Sequence, residues 1–163
     1  MGSGNSGLYS KTRGMSAAPG SMDLMIKNDD FSRNIKRRKD IDSNGFYDII
    51  AHGSPTDIKI AFKGKLLSIN HRILARLLKS NPEYKDGAIR LLSCSTGKIP
   101  NGFAQNLANK LNRPVKAPTS FLWAWPSGIY LVADGHIVNG SPQPLLNRLG
   151  KFKTFYPQGG KRK

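Results

Sequence analysis

The fold is decided by residues 46–53, FYDIIAHG, and by a similar stretch at residues 88–94, AIRLLSC. Each is a short apolar segment, which is typical of a strand buried on both faces of a sheet. The first ends at His52-Gly53 and the second ends at Cys94, and turn-forming residues follow both. If the two strands are parallel neighbours, they bring His52 and Cys94 to one edge of the sheet.

The segments around these two strands alternate between strand and helix patterns. A hairpin is predicted at residues 57–64, a helix capped by Ser68 follows with its apolar face at residues 69–78, and a second helix opens at Gly102-Phe103. A short strand at residues 115–117 and a β-hairpin at residues 121–132 come next, and residues 133–157 are predicted to be irregular. The pattern predicts an α/β fold, with a mostly parallel sheet flanked by helices and a C-terminal β-hairpin.

The sequence divides into three parts by composition. Residues 1–44 are a basic, partly flexible N-terminal segment, residues 45–157 form the catalytic domain, and residues 158–163 are a basic tail. No apolar run approaches the roughly 18 residues that span a bilayer, so no membrane span is expected. The N-terminus lacks the features of a signal peptide, so export would depend on a longer polypeptide upstream.

Positive charge is the strongest bulk feature of the chain. The 26 Lys and Arg residues against 10 Asp and Glu residues give a net charge of +16. Such a surface can bind an acidic protein or another polyanion. Arg72, Arg76 and Lys79 form a basic helix face, which keeps a nucleic-acid-directed function open.

The single cysteine points to thiol chemistry. With one Cys and three His residues no disulfide can form within the chain and a metal site is disfavoured, so neither metal nor cofactor is expected. Cys94 is the candidate nucleophile, and His52 is the candidate general base and acid. The backbone N–H groups of Gly53 and Cys94 are candidates for stabilising the oxyanion.

The carboxylate that would orient His52 is not evident in the sequence. Asp48 lies about 13 Å away along the same strand, too far to touch the imidazole. Asp57 and Asp23 are the candidates that remain.

An apolar strand ending in His-Gly, followed by one ending in a small residue and Cys, resembles clan CD cysteine peptidases. The similarity is greatest to the autoprocessing protease domains of large clostridial and repeats-in-toxin proteins. It covers residues 45–117, although Ser93 precedes the Cys where Ala or Gly is commoner. The resemblance implies a caspase-like fold and a cysteine protease.

A second resemblance concerns context. The segments LLSCSTG at residues 91–97, FAQNLA at 103–108 and VKAPT at 115–119, with GKFKTFYP at 150–157, are similar to the C-terminal tips of Rhs and related polymorphic toxins. This implies secretion as the last domain of a larger protein and delivery into a recipient cell. It also implies a target protein there and a cognate immunity protein in the producer.

Several alternatives stay open. His136 with Asn139 could replace His52 in a papain-like order, and Ser54, Ser95, Thr96, Trp123 and Trp125 are candidates for contacting substrate. The same thioester step would also serve a deamidase or transamidase. The rival classes are a toxin that cleaves nucleic acid and a non-enzymatic binding domain on an inactive peptidase scaffold.

Overall fold

The computed structural model describes residues 20–25, 29–41 and 45–159. In chain order the elements are β1 (Ser21–Asp23), α1 (Asp30–Ile35), β2 (Tyr47–Ile50), β3 (His52–Gly53), β4 (Ile58–Phe62), β5 (Lys65–Ile69), α2 (His71–Lys79), β6 (Ile89–Leu92), α3 (Phe103–Leu111), β7 (Val115–Pro118), β8 (Phe121–Ala124), β9 (Tyr130–Val138), β10 (Ser141–Leu149) and β11 (Phe152–Phe155). The predicted α/β class is confirmed.

The central sheet has the strand order β1-β2-β6-β7-β11. Its first four strands are parallel, and β11 closes the edge antiparallel to β7. The two apolar segments that decide the fold are β2 and β6. They pair directly, with Tyr47 opposite Ile89 and Ile50 opposite Leu92, so the prediction of neighbouring parallel strands is confirmed.

Two smaller antiparallel sheets flank the central one. They have the orders β3-β4-β5 and β10-β9-β8. The predicted hairpins at residues 57–64 and 121–132 are confirmed within them. Because most of the pairings in the described chain are antiparallel, a mostly parallel sheet describes the central sheet alone.

Each face of the central sheet carries its own apolar cluster. Helices α2 and α3 cover one face, where Leu74 and Leu107 pack with Ile49 and Leu91. Helix α1 and the β8–β9 hairpin cover the other face, where Ile35 and Leu122 pack with Ile50 and Leu92. The alternation of β2 and β6 side chains between these two clusters explains why both strands are apolar throughout.

The prediction of irregular structure at residues 133–157 is wrong. That region contains most of β9 and all of β10 and β11. Pro142 and Pro144 lower the strand propensity of the sequence, but β10 is an edge strand, where proline is tolerated. The turn that joins β9 to β10 is Asn139-Gly140, with φ of 51° and 80°, as a tight hairpin turn requires.

The N-terminal part of the described chain is integral to the fold. Strand β1 forms an edge of the central sheet, and Met22 and Leu24 are buried in its core. Helix α1 buries Ile35 on the opposite face. The predicted domain at residues 45–157 therefore leaves out β1 and α1, which precede it. Residues 1–19, 26–28, 42–44 and 160–163, which include most of the predicted tail, lie outside the described residues.

The predicted start of helix α2 needs a correction. Ser68 does not cap it, because β5 continues through Ile69 and Ser68 accepts a hydrogen bond from Lys59 Nζ across the hairpin. Asn70 is the N-cap, and its side-chain oxygen accepts the N–H groups of Arg72 and Ile73. The predicted opening of α3 at Gly102-Phe103 is confirmed.

Candidate functional site

His52 and Cys94 occupy equivalent positions beyond two paired strands. Ile50 is opposite Leu92 in the β2–β6 pair, and the Ala51 N–H donates to the Leu92 carbonyl at 3.3 Å. Each candidate residue follows two positions later. Cys94 packs against the apolar cluster that contains Ile50, Leu92 and Ile35. The two chain segments therefore meet at one edge of the sheet, as the sequence predicted.

Gly53 lies directly against the Cys94 loop. A Cβ at this position would sit 2.9 Å from the Cys94 carbonyl oxygen and 2.8 Å from a methyl carbon of Thr96. The Ser54 N–H donates to the carbonyl of Asp57, the residue before β4, at 2.9 Å. Because successive N–H groups of an extended chain point to opposite sides, the Gly53 N–H faces the Cys94 side. A side chain at residue 53 would hold the two segments apart.

The His52 side chain has a carboxylate partner that the sequence did not suggest. Its Nε2 lies 3.3 Å from Asp29 Oδ2, and both side chains are about half exposed, at 45% and 43%. The other oxygen of Asp29 accepts the Ser32 N–H at 2.8 Å and so caps α1. An Asp ahead of a helical pattern is a recognisable cap signal, but its proximity to His52 arises from tertiary packing.

The other three carboxylates considered for His52 are engaged elsewhere. Asp48 binds Arg38 and Arg90, which agrees with the expectation that it cannot reach the imidazole. Asp57 accepts the Ser54 hydroxyl at 2.8 Å. Asp23 pairs with Lys36 at 2.5 Å. The described contact of the His52 imidazole with a carboxylate is the one with Asp29.

The Cys94 thiol is held in a largely apolar environment. Its Sγ accepts the Leu122 N–H at 3.4 Å, and Leu122 belongs to the adjacent buried cluster. Burial raises the pKa of the Cys94 thiol, and the hydrogen bond from Leu122 offsets this in part. The sulfur therefore rests as the neutral thiol and needs a base to become a nucleophile.

The loop that carries Cys94 is held by hydrogen bonds within the loop and by hydrogen bonds to the segment at residues 118–120. The N–H groups of Ser95 and Gly97 donate to Ser120 and Pro118 at 2.9 and 2.8 Å, and the hydroxyls of Ser93 and Thr96 lie 3.1 Å apart. Ser95 and Thr96 are buried, at 7% and 0% exposure. These two predicted substrate contacts therefore lie inside the loop, where they stabilise its shape.

Helix α3 ties the two loops together. Its Phe103 N–H donates to the Pro55 carbonyl at 2.9 Å, in the loop after His52. Its Ala104 N–H donates to the Thr96 carbonyl at 3.1 Å, in the loop after Cys94. The first turn of the helix thus positions both segments, and these two donors are already satisfied by the backbone.

An apolar groove of about 350 Å³ opens beside Cys94. Its walls come from Cys94, β8, β9 and the start of β10, and they are formed by Phe121, Leu122, Trp123, Gly135, His136, Ile137 and Pro142. The Trp123 indole is fixed by a 2.9 Å hydrogen bond to the Ala133 carbonyl. Cys94, Trp123 and His136 were site candidates from the sequence, and the other residues of the groove were not. Those residues lie in the β8–β9 hairpin, in which Trp123 and Trp125 alone were candidates, or in the region predicted to be irregular.

The remaining sequence candidates are spread over the surface. His136 shares the groove with Cys94, whereas Asn139 sits in the β9–β10 turn with a left-handed backbone. Trp125 begins the β8–β9 turn, where its N–H donates to Ile129. The Ser54 hydroxyl is held by Asp57. Of these four, only His136 borders the thiol's groove.

Within the described residues, no cluster of three or more His, Cys, Asp or Glu side chains is arranged to hold a metal ion. No helix in that part of the chain has the length and apolarity to cross a membrane.

Comparison with known protein families gives one match. Residues 20–132 match the domain of unknown function DUF8616. The chain belongs to this family. The DUF8616 match starts beside β1 and includes Asp29, His52 and Cys94, and it ends within β9 before His136. No curated protein and no solved structure matches the chain.

Proposed function

We propose that this DUF8616 protein is a thiol hydrolase that acts on a protein substrate. Cys94 is the nucleophile, His52 is the general base and acid, and Asp29 orients His52. The observation that carries the proposal is the equivalent placement of His52 and Cys94 beyond paired parallel strands, with Asp29 beside His52. A thiol, an imidazole and a carboxylate in this order resemble the nucleophile–base–orienting-group arrangement of acyl-transfer enzymes.

The roles follow from the protonation states. Asp29 faces Nε2 of His52 and so favours the tautomer with its proton there, which leaves Nδ1 as the base. The Cys94 proton passes to this nitrogen as Sγ bonds to the substrate carbonyl carbon. The imidazolium then protonates the leaving amine as the C–N bond breaks. Water, activated by the same imidazole, hydrolyses the thioester and frees the thiol.

The backbone supplies the oxyanion site in this scheme. The Gly53 N–H faces the Cys94 segment, and the Cys94 N–H is the second proposed donor. Rigid N–H donors stabilise a developing oxyanion without reorganising during the reaction.

The groove beside Cys94 would accept the substrate. Its apolar walls and the fixed Trp123 suit a protein segment that contributes apolar side chains. A side-chain amide bound there would undergo deamidation by the same steps, with ammonia as the leaving group. Peptide cleavage is our first choice, and deamidation or transamidation of a protein is the alternative outcome of the same site.

The resemblance to Rhs-type toxins supplies the biological setting of the proposal. The protein would be the secreted C-terminal toxin of a larger polypeptide, delivered into a recipient cell and neutralised in the producer by an immunity protein. A parallel central sheet with helices on both faces is compatible with the caspase-like fold that the clan CD resemblance implies.

Substitution of the proposed nucleophile and base tests the chemistry. We expect Cys94→Ala and His52→Ala each to abolish toxicity in an expression assay, and the double variant to be no worse, because the groups act as a unit. His136→Ala is the matched control, since His136 lines the same groove and we expect growth inhibition to remain within threefold of the wild type. If His136→Ala abolishes toxicity and His52→Ala does not, the base is His136.

The rival function is attack on nucleic acid. We expect the purified protein to leave RNA and DNA intact while it cleaves or deamidates protein in a lysate in a Cys94-dependent manner. Cleavage of tRNA or DNA that survives Cys94→Ala would reject the thiol hydrolase.

A further inference from the structure

The β4–β5 hairpin and helix α2 carry a set of exposed basic side chains, which is called the basic surface below. Residues 58–82 contain six Lys and Arg residues and no Asp or Glu: Lys59, Lys63, Lys65, Arg72, Arg76 and Lys79. All six are exposed. The helix follows β5 after one residue, Asn70. Within the hairpin, Lys59 lies opposite Ser68 and Lys65 lies opposite Phe62, so these two cations are on opposite faces.

Apolar side chains are exposed within this basic surface. Leu66, Leu67 and Ile73 are 44%, 41% and 37% exposed. Leu66 and Leu67 are successive residues of a strand, so they point to opposite faces of the hairpin. Both faces of the outer hairpin therefore offer apolar area that the fold itself does not cover.

Strand β5 is also an open edge. It pairs with β4 over its whole length, from Lys65 opposite Phe62 to Ile69 opposite Ile58. No strand of the described chain pairs with its other side. An uncovered edge presents a row of backbone N–H and C=O groups to any segment that can pair with them.

We propose that β5 and the neighbouring face of α2 bind an acidic, extended segment of a partner protein, which adds as a strand to the β3-β4-β5 sheet. Backbone pairing along β5 would give affinity, and carboxylates of the partner would meet the six cations. Apolar side chains on both faces of the added strand would cover Leu66 and Leu67. This binding surface is independent of the chemistry proposed at Cys94.

The combination favours a protein over the other polyanions. The phosphates of a nucleic acid would pair with the cations but leave Leu66 and Leu67 exposed. The hairpin also offers the bases of a nucleic acid a single aromatic side chain to stack on, the half-buried Phe62 next to Lys63. A lipid surface would cover the leucines but leave the edge N–H and C=O groups of β5 unpaired in an apolar medium, which is costly. A strand of protein satisfies all three features.

The test uses a synthetic eight-residue peptide in which pairs of glutamates alternate with pairs of valines, with blocked ends, so that both faces of the added strand carry glutamate and valine. We expect it to bind the full chain and to protect the backbone amides of residues 65–69 from hydrogen exchange. A version N-methylated at alternate residues has the same charge but cannot pair along one edge, and we expect its affinity to fall at least tenfold.

Matched variants separate this site from general attraction to the +16 chain. Lys63→Glu, Lys65→Glu and Arg72→Glu together should weaken peptide binding at least tenfold. The control is Lys85→Glu, Lys98→Glu and Lys151→Glu, which makes the same change in net charge at other exposed positions and should alter affinity less than threefold. Retained toxicity in the first triple variant would show that the Cys94 site is intact.

Three results would overturn the proposal. One is equal binding of the methylated and unmethylated peptides, and another is equal loss of affinity in both triple variants. The third is binding of phosphatidylserine vesicles or duplex RNA through Lys63, Lys65 and Arg72 without protection of residues 65–69 by the peptide.

Discussion

Asp48 is the most strongly bound carboxylate of the central sheet. Its two oxygens accept four hydrogen bonds, from Nε and Nη2 of Arg38 at 3.0 and 2.7 Å and from Nε and Nη2 of Arg90 at 2.8 and 2.7 Å. All three side chains are 3% exposed or less. Removal of one partner from such a group leaves buried charge uncompensated.

We therefore expect Asp48→Asn to lower the free energy of unfolding by about 3–5 kcal/mol, measured by urea denaturation. Asp86→Asn is the control, because Asp86 is 69% exposed where it pairs with Arg113, and its loss should cost about 0–1 kcal/mol. Equal stability of the two variants would mean that the buried network does not hold the sheet together.

This network also shows where prediction from sequence ends. Residues 46–53 and 88–94 read as buried strands from their apolar composition, and this was sufficient to predict the β2–β6 pair. The charged residues within them, Asp48 and Arg90, are 42 positions apart and face each other because of the register. No local pattern identifies such a partner, and the same holds for Asp29 and His52.

Helix α1 links the N-terminal segment to the candidate site. It has six residues, too few to be stable alone, and depends on Ile35 in the core and on the Asp29 cap. Because one Asp29 oxygen caps the helix and the other faces His52, the carboxylate has a structural and a proposed functional role that different substitutions separate.

Asp29→Asn keeps a side-chain oxygen for the cap but removes the charge beside His52. We expect it to stay within about 0.5 kcal/mol of the wild type in stability while losing at least tenfold in Cys94-dependent activity. Asp29→Ala should lose the activity and also about 1 kcal/mol of stability. If Asp29→Asn is fully active, Asp29 is only a helix cap.

The C-terminal strands show a different limit of prediction. The Asn139-Gly140 turn was a usable hairpin signal, and β10 was missed because Pro142 and Pro144 argue against a strand. Because these strands were not predicted, part of the candidate site was not predicted either. One wall of the groove beside Cys94 is formed by Gly135, His136, Ile137 and Pro142. Edge strands follow weaker sequence rules than central ones, so the wall was harder to predict than the β2–β6 pair.

Two partly buried groups contribute to the dependence of the folded chain's stability on acid pH. Burial, with the charges of Arg72 and Lys110, lowers the pKa of His71 below its usual 6.5. Burial alone would raise the pKa of Asp40, but hydrogen bonds from Arg90 and Tyr130 lower it to about 2. Both groups make the unfolded chain bind more protons, so both lower stability as pH falls, in different ranges.

The contribution of His71 begins near pH 6.5, where the unfolded chain starts to take up its proton, and that of Asp40 begins only below about pH 4. Between pH 7 and pH 5, proton uptake by His71 in the unfolded chain should therefore lower the free energy of unfolding. We expect His71→Gln to reduce that decline, measured by urea denaturation at several pH values. The matched control is His136→Gln, which makes the same substitution at an exposed position. A His71→Gln curve parallel to the wild type would show that His71 titrates alike in both states, and the acid sensitivity would then lie with other groups.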